Sequence, residues 1–104
     1  MNANHILSVD LSLGDHLVFI DQEEEEIMET LRVLHPSATL QLYTAQIHAF
    51  FNCMRMDAAL RHQVMISYIS GNLYKATYFT EKHLNVLEEL KVCERRCLAL
   101  RDEL

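Results

Sequence analysis

Apolar residues recur with a helical period along most of the chain. The clearest stripe follows Gly71 at alternating spacings of four and three residues, and it consists of Phe79, His83, Val86, Leu90, Cys93, Cys97, Leu100 and Leu104. A repeat of about 3.5 residues is typical of a helix that packs along a seam. Glutamates and arginines occupy many of the positions between, as expected for a solvated side. The pattern predicts a long C-terminal helix from about residue 72.

Two shorter helices are predicted before it. Pro36 cannot continue an earlier helix and Ser37 is a favourable N-cap, so we expect a helix over residues 37–56. Asp57 then offers a second N-cap, and a third helix is expected over residues 58–69. That third helix is apolar on nearly every side, which indicates either a central position in a bundle or contact with a partner.

The first third of the chain allows two interpretations. Apolar and polar residues alternate over residues 7–13, and Gly14 with Asp15 can form a type II′ turn, which predicts a short N-terminal β-hairpin. Alternatively, Asp15 caps a helix whose apolar stripe continues over residues 17–34, in phase through the acidic run at 23–26. An isolated two-stranded hairpin is only marginally stable, so the helix is preferred.

Together these elements predict an all-α fold of three to four antiparallel helices with a long C-terminal helix. The chain has 104 residues, half of them apolar, with only two glycines and one proline. This composition excludes global disorder and argues against a β-sandwich, which needs frequent turns. No Gly/Ser-rich linker divides the sequence, so we interpret residues 1–104 as a single helical domain.

The apolar content exceeds what one small core requires. Four helices of unequal length are not expected to cover the whole C-terminal seam, so part of it should face a helix from another chain. The residues expected to contact that partner are Val64, Met65, Ile66, Tyr68, Ile69, Val86, Leu90 and Leu100. The partner is either another protein or a second copy of this chain.

Charge narrows the choice of partner. The formal net charge is −6, and residues 1–52 carry eight acidic side chains against a single basic one, Arg32. Nucleic acid and anionic membranes would be repelled by this half, so neither is predicted as a partner. The longest run of purely aliphatic and aromatic residues, 17–20, is far too short to span a bilayer. A basic protein or peptide fits better.

The cysteines and histidines give little sign of catalysis. The three cysteines are Cys53, Cys93 and Cys97, an odd count that is typical of reduced thiols in a cytoplasmic protein. Cys93 and Cys97 are one helical turn apart and could share a metal, but the sequence supplies no further ligands at a suitable spacing. We expect them to be small apolar residues of the seam, and His83 to be a half-buried, hydrogen-bonded histidine. No enzyme activity and no cofactor are predicted.

One segment resembles a known repeat. Residues 70–84 are similar to the second helix of a tetratricopeptide repeat, with Gly71 at the turn, Ala76 five residues later, the aromatic pair Tyr78 and Phe79, and Leu84 near the end. The preceding helix lacks the tryptophan and Leu-Gly positions of the family, and no second copy lies 34 residues upstream. The resemblance implies a helical hairpin that binds a peptide or protein.

Three functions follow as expectations. The first is a non-enzymatic protein-interaction module, such as a small acidic chaperone or adaptor that buries a helix or peptide of its partner. The second is a homodimeric helical regulatory protein that uses the same seam for self-association. The third is a metal-binding or thiol-redox protein that uses Cys93 and Cys97.

Overall fold

The chain folds into three α-helices of nearly equal length. A computed structural model describes the backbone of residues 3–104 and the side chains of residues 13–104. The helices are α1 (Ala3–Arg32), α2 (Ala38–Ile69) and α3 (Leu73–Glu103), and the described backbone contains no strand. The predicted all-α fold with a long C-terminal helix is confirmed.

The turns between the helices follow from residues with strong local preferences. The Ser37 side chain accepts a hydrogen bond from the backbone N–H of Leu40 at 3.0 Å, which caps α2 as predicted. Gly71 takes a φ of 75°, a left-handed conformation that glycine adopts without steric cost. Asn72 then caps α3 by accepting from the N–H of Lys75 at 3.0 Å. Each turn is therefore short, and consecutive helices run antiparallel.

The predicted helix boundary at Asp57 is wrong. Helix α2 continues through this position without a break and replaces the two shorter helices expected at 37–56 and 58–69. No glycine or proline lies near Asp57, so nothing in the backbone forces an interruption. The carboxylate of Asp57 forms ion pairs with Arg61 and His83 instead of capping a new helix.

The N-terminal β-hairpin interpretation is also wrong. Residues 3–32 form one continuous helix, which begins about twelve residues before the predicted cap at Asp15. The side chains of residues 7–12, which gave the alternating pattern, lie outside the described residues. Farther along, Ile20 and Leu31 are buried, in agreement with the predicted helical stripe.

The three helices lie side by side in a single layer with α2 in the centre. On α2, His48 and Arg55 bond to α1, whereas Cys53 and Asp57 bond to α3. At about 100° per residue these two sets point to sides of α2 that are roughly 170° apart. The backbones of α1 and α3 stay apart over the described part of the chain. Between these directions, Ile47, Phe51 and Ala58 point to one side of α2 and are buried in the core that α1 and α3 share, whereas the opposite side, with the exposed Asn52 and Gln63, has no covering helix.

The dimensions of the molecule agree with this layered arrangement. The principal extents are 53 × 25 × 13 Å and the radius of gyration is 17.0 Å. A compact domain of this length has a radius of gyration of about 13 Å. The accessible surface is 7268 Å², whereas a compact monomer of this mass exposes about 6,000 Å². The chain exposes more surface than a two-layer domain of its size.

A thin core joins the layer. Ile20 of α1, Ile47 and Phe51 of α2 and Cys97 of α3 belong to one buried cluster. We expected shorter helices that could not cover the seam of the C-terminal helix, and this expectation is wrong. The continuous α2 is as long as α3 and packs along its seam. The seam residues Val86 and Cys97 are accordingly buried within this chain. On the core side of α2, Met65 and Tyr68 nevertheless remain about half exposed.

Candidate functional site

The α1–α2 side is held by a charged network. Arg55 donates from Nε to Asp21 at 2.7 Å and from Nη2 to Glu24 at 2.5 Å, while its Nη1 donates to Asn52 at 2.9 Å. The other oxygen of Glu24 pairs with Nδ1 of His48 at 2.9 Å. The side chains of Glu24 and Arg55 are largely shielded from solvent, so their interaction is screened less than a surface pair would be.

The electrostatics of Glu24 follow from these contacts. Burial on its own raises the pKa of this carboxyl group, but the hydrogen bonds and charges of Arg55 and His48 outweigh burial and leave the pKa below its ordinary value. Hydrogen bonds and charges from Glu24 and Asp21 raise the pKa of the Arg55 guanidinium. Glu24 and Arg55 are therefore both ionised at neutral pH, and their ion pair joins α1 to α2.

A groove opens beside this network at the α1–α2 junction. Its volume is about 800 Å³, and its walls combine the apolar side chains Met28 and Leu40 with the charged residues Asp21, Arg32 and Arg55. Volumes of this order are common for small-molecule and peptide sites. The groove is open to solvent on one side, and its opposite charges largely neutralise one another.

The α2–α3 side carries a different polar contact. The carboxylate of Asp57 meets Nε2 of His83 at 2.5 Å and Nη2 of Arg61 at 2.8 Å. Asp57 and His83 are both largely buried between the two helices. The prediction that His83 is a half-buried, hydrogen-bonded histidine is confirmed. The contact between Asp57 and His83 joins α2 to α3.

All three thiols lie on the α2–α3 side. The Sγ atoms of Cys53 and Cys93 are 4.0 Å apart, and a carboxylate oxygen of Glu89 is also 4.0 Å from Cys53 Sγ. Burial, together with the nearby Cys93 and Glu89, raises the pKa of the Cys53 thiol to about 11. Cys97 is buried in the core, and burial followed by the charges of Cys93 and Glu94 raises the pKa of its thiol.

The uncovered sides of α2 differ in chemistry. On one side the exposed and half-buried positions are almost all apolar, and we call this surface the apolar face: Tyr43, Phe50, Met54, Met65 and Tyr68. These residues fall within about 60° of one another around the helix, midway between the α1 and α3 directions. The opposite side carries Asn52, Met56 and Gln63, all exposed. The first side is mainly apolar, although the exposed Arg61 points in the same direction.

The residues predicted to contact a partner differ in their exposure to solvent. Met65 and Tyr68 are exposed on the apolar face. Five others are half-buried, and they are Val64, Ile66, Ile69, Leu90 and Leu100. Val86 is buried between α2 and α3 and is not accessible to another chain in this conformation. The predicted set is therefore not one surface, because it was chosen for apolar character without knowledge of which sides α1 and α3 cover.

The described residues provide neither a metal site nor a membrane span. Within residues 13–104, no three histidine, cysteine or acidic side chains converge as a metal site would require. Among the described residues, no helix combines the length and apolar character that a bilayer span needs.

Comparisons with protein-family models, with curated proteins and with solved structures find no match to this chain.

The Arg55 network was missed by sequence reasoning. Arg55 binds carboxylates that precede it by 31 and 34 residues, a separation that no local spacing rule covers. A weak signal exists in retrospect, because Arg55 is one of the few basic residues near the centre of an acidic chain. The apolar face was also missed as a surface, although Met65 and Tyr68 were named.

Proposed function

We propose that this chain is a non-enzymatic protein-interaction module whose single helical layer is completed by a helix of a partner protein. The observation that carries the proposal is the one-layer architecture, with a radius of gyration of 17.0 Å. Domains normally bury the apolar side of one layer against a second layer. Here no second layer covers Met65 and Tyr68 of the apolar face, and an amphipathic helix is the element that fits such a strip.

Charge favours a basic partner over a second copy. Two copies of a chain with net charge −6 repel one another, whereas a basic helix is attracted. Helix α1 borders the apolar face at one edge, and its acidic run includes Glu23 and Glu26, which make no ion pair among the described residues, whereas Glu25 lines the groove on the other side of α2. Arg61 points within the apolar face and is exposed, but its charge is paired with that of Asp57. The edge is therefore suited to lysine or arginine on the partner.

The adaptable side chains of the face suit this role. Methionine is flexible and polarisable, so Met54 and Met65 can adjust to different apolar surfaces. The resemblance of residues 70–84 to the second helix of a tetratricopeptide repeat also favours a peptide-binding role. A small acidic chaperone or adaptor is the most concrete form of the proposal.

The experiment uses two synthetic amphipathic helices with the same apolar pattern, one of leucine and lysine and one of leucine and glutamate. Fluorescence anisotropy measures binding of each to the full chain. We expect the leucine–lysine helix to bind at least about tenfold more tightly than its acidic counterpart. Equal binding of the two peptides would contradict the proposed basic partner.

A matched pair of variants locates the binding surface. Met65 and Met56 are 48% and 51% exposed on the same helix, and their nine-residue separation places them about 180° apart. Met65→Glu should weaken binding of the leucine–lysine helix about tenfold or more, because it places a carboxylate in the apolar contact. Met56→Glu adds the same charge on the opposite side and should change binding less than about twofold. Equal effects of the two substitutions would rule out the apolar face.

A further inference from the structure

A second surface of the molecule contains an unexplained pair of thiols. Cys53 and Cys93 are the only two residues of this type that face each other from different helices, and their Sγ atoms are 4.0 Å apart. A disulfide requires a separation of about 2.05 Å, so the sulfur atoms must approach by about 2 Å. Both thiols are half-buried at the edge of the helix interface, where side chains have more freedom than in the core.

Access differs between the two thiols. Cys93 lines an open surface pocket of about 390 Å³, together with Glu88, Glu89, Val92 and Arg96. A small oxidant can therefore reach Cys93 from solvent. Cys53 does not line this pocket, and its high pKa keeps it as a thiol at neutral pH. Cys93 is thus placed to react first and Cys53 to react second.

The third cysteine is not a competing partner. Cys97 is buried in the core cluster, away from solvent. Cys97 also lies one helical turn after Cys93 on α3, so the two Cβ atoms point in nearly the same direction. A disulfide between them would require disruption of the helix. Any internal disulfide should therefore join α2 to α3.

We propose that Cys53 and Cys93 form a reversible oxidation site, at which a hydroperoxide converts the two thiols into a disulfide that fastens α3 to α2. The sulfur of Cys93 attacks one peroxide oxygen, so that an S–O bond forms and the O–O bond breaks, and the proton that Cys93 gives up goes to the leaving oxygen, which departs as an alcohol or water. The sulfur of Cys53 then attacks the Cys93 sulfur, which forms the S–S bond and breaks the S–O bond. The departing hydroxide takes the Cys53 proton and leaves as water.

Electrons and protons balance in this reaction. The two thiols together lose two electrons and two protons, and the hydroperoxide accepts both pairs. A dithiol such as dithiothreitol reverses the change by thiol–disulfide exchange. The site does not depend on the proposed partner helix, because it lies between α2 and α3 and uses no residue of the apolar face.

The test treats the full reduced chain with a small excess of hydrogen peroxide. We expect a mass loss of about 2 Da and a fall from three free thiols to one. Trypsin then separates the cysteines, because cleavage after arginine and lysine places them in residues 33–55, 92–95 and 97–101. The expected linked product joins the first two peptides and disappears after treatment with dithiothreitol.

Matched variants and thermal unfolding complete the test. Cys97→Ala should still lose two thiols, whereas Cys53→Ser and Cys93→Ser should form no internal disulfide. The bridge closes a loop of 40 residues, so the oxidised chain should melt about 10 °C or more above the reduced one. The proposal is overturned by a linkage that contains residues 97–101, by a disulfide between two chains, or by oxygen additions of about 16 Da without a linkage. It is equally overturned if the thiols react only after a metal chelator is added.

Discussion

The two sides of α2 are joined to their neighbours in different ways. Toward α3 the helices pack along most of their length, and the most buried positions are small, with Ala76 and Ser67 nearly inaccessible to solvent. Toward α1 the contact is shorter and combines one fully buried isoleucine, Ile20, with the Arg55 network. Small residues allow close backbone approach, whereas the α1 side depends on a few individual side chains. The α1 side should therefore be the more easily broken.

The largest expected effect is the loss of the Ile20 side chain. Ile20 is 1% exposed and belongs to the cluster that joins α1 to α2, so Ile20→Ala should lower the free energy of unfolding by about 2–5 kcal/mol. Hydrogen exchange should show faster exchange in α1 than in α2 and α3. The control is Val18→Ala, at a position that is 55% exposed, where urea denaturation should show a change within about 0.5 kcal/mol. Uniform acceleration in all three helices would contradict the weaker α1 contact.

A smaller effect is expected for Asp57→Ala on the α3 side. This substitution leaves His83 without its carboxylate partner in a largely buried position and should destabilise the chain by about 1–3 kcal/mol. Glu88→Ala serves as the control, because Glu88 and its partner Lys91 are both exposed. Urea denaturation of the two variants at pH 7 makes the comparison. If they are equally stable, Asp57 does not join α2 to α3.

Acid should weaken the α1 side through Glu24. The pKa of this carboxyl group is lowered in the folded chain from an ordinary value of 4.5, so the unfolded chain takes up the proton first as the pH falls. The stabilisation is fully present above about pH 4.5 and is lost as the pH drops through the folded-state pKa. Glu24→Gln should cost about 1 kcal/mol at pH 7 and flatten this part of the pH profile. A profile that is identical to that of the native chain would show that Glu24 is not the responsible group.

The smallest effect is expected at the ion pair between Glu29 and Arg32. Their side chains are 60% and 68% exposed, so the pair is screened by solvent. Glu29→Ala should change the free energy of unfolding by less than about 0.5 kcal/mol. Thermal unfolding monitored by circular dichroism provides the measurement. A loss as large as that of Glu24→Gln would mean that the partial burial of Glu24 contributes nothing to its role.

Local signals in the sequence predicted the local features of the fold. Ser37 and Asn72 cap helices, and Gly71 forms the turn between the last two, because each acts through its own backbone or that of its neighbours. The stripe through Val86 and Cys97 correctly identified the side of α3 that is buried. The predicted helix start at Asp57 was wrong, because an aspartate that can cap a helix can equally form an ion pair with another helix.

The arrangement of the helices could not be predicted in the same way. Periodicity shows that a helix has an apolar side, but it does not show how many neighbours share that side. Arg55 binds Glu24 and Asp21 on the preceding helix, at sequence separations of 31 and 34 residues. The proximity of Cys53 to Cys93 likewise depends on the register of α2 against α3. These contacts arise from packing and not from any short pattern.

The most direct test of the account is the size and mass of the isolated chain, measured by small-angle X-ray scattering after size exclusion with light scattering. A single-layer chain that awaits a partner of different chemistry should be a monomer of 12.1 kDa with a radius of gyration near 17.0 Å. A monomer with a radius of gyration near 13 Å would show that the helices close into a compact bundle. A particle of about twice the monomer mass would show that a second copy covers the apolar face, and either result would contradict the proposed partner helix.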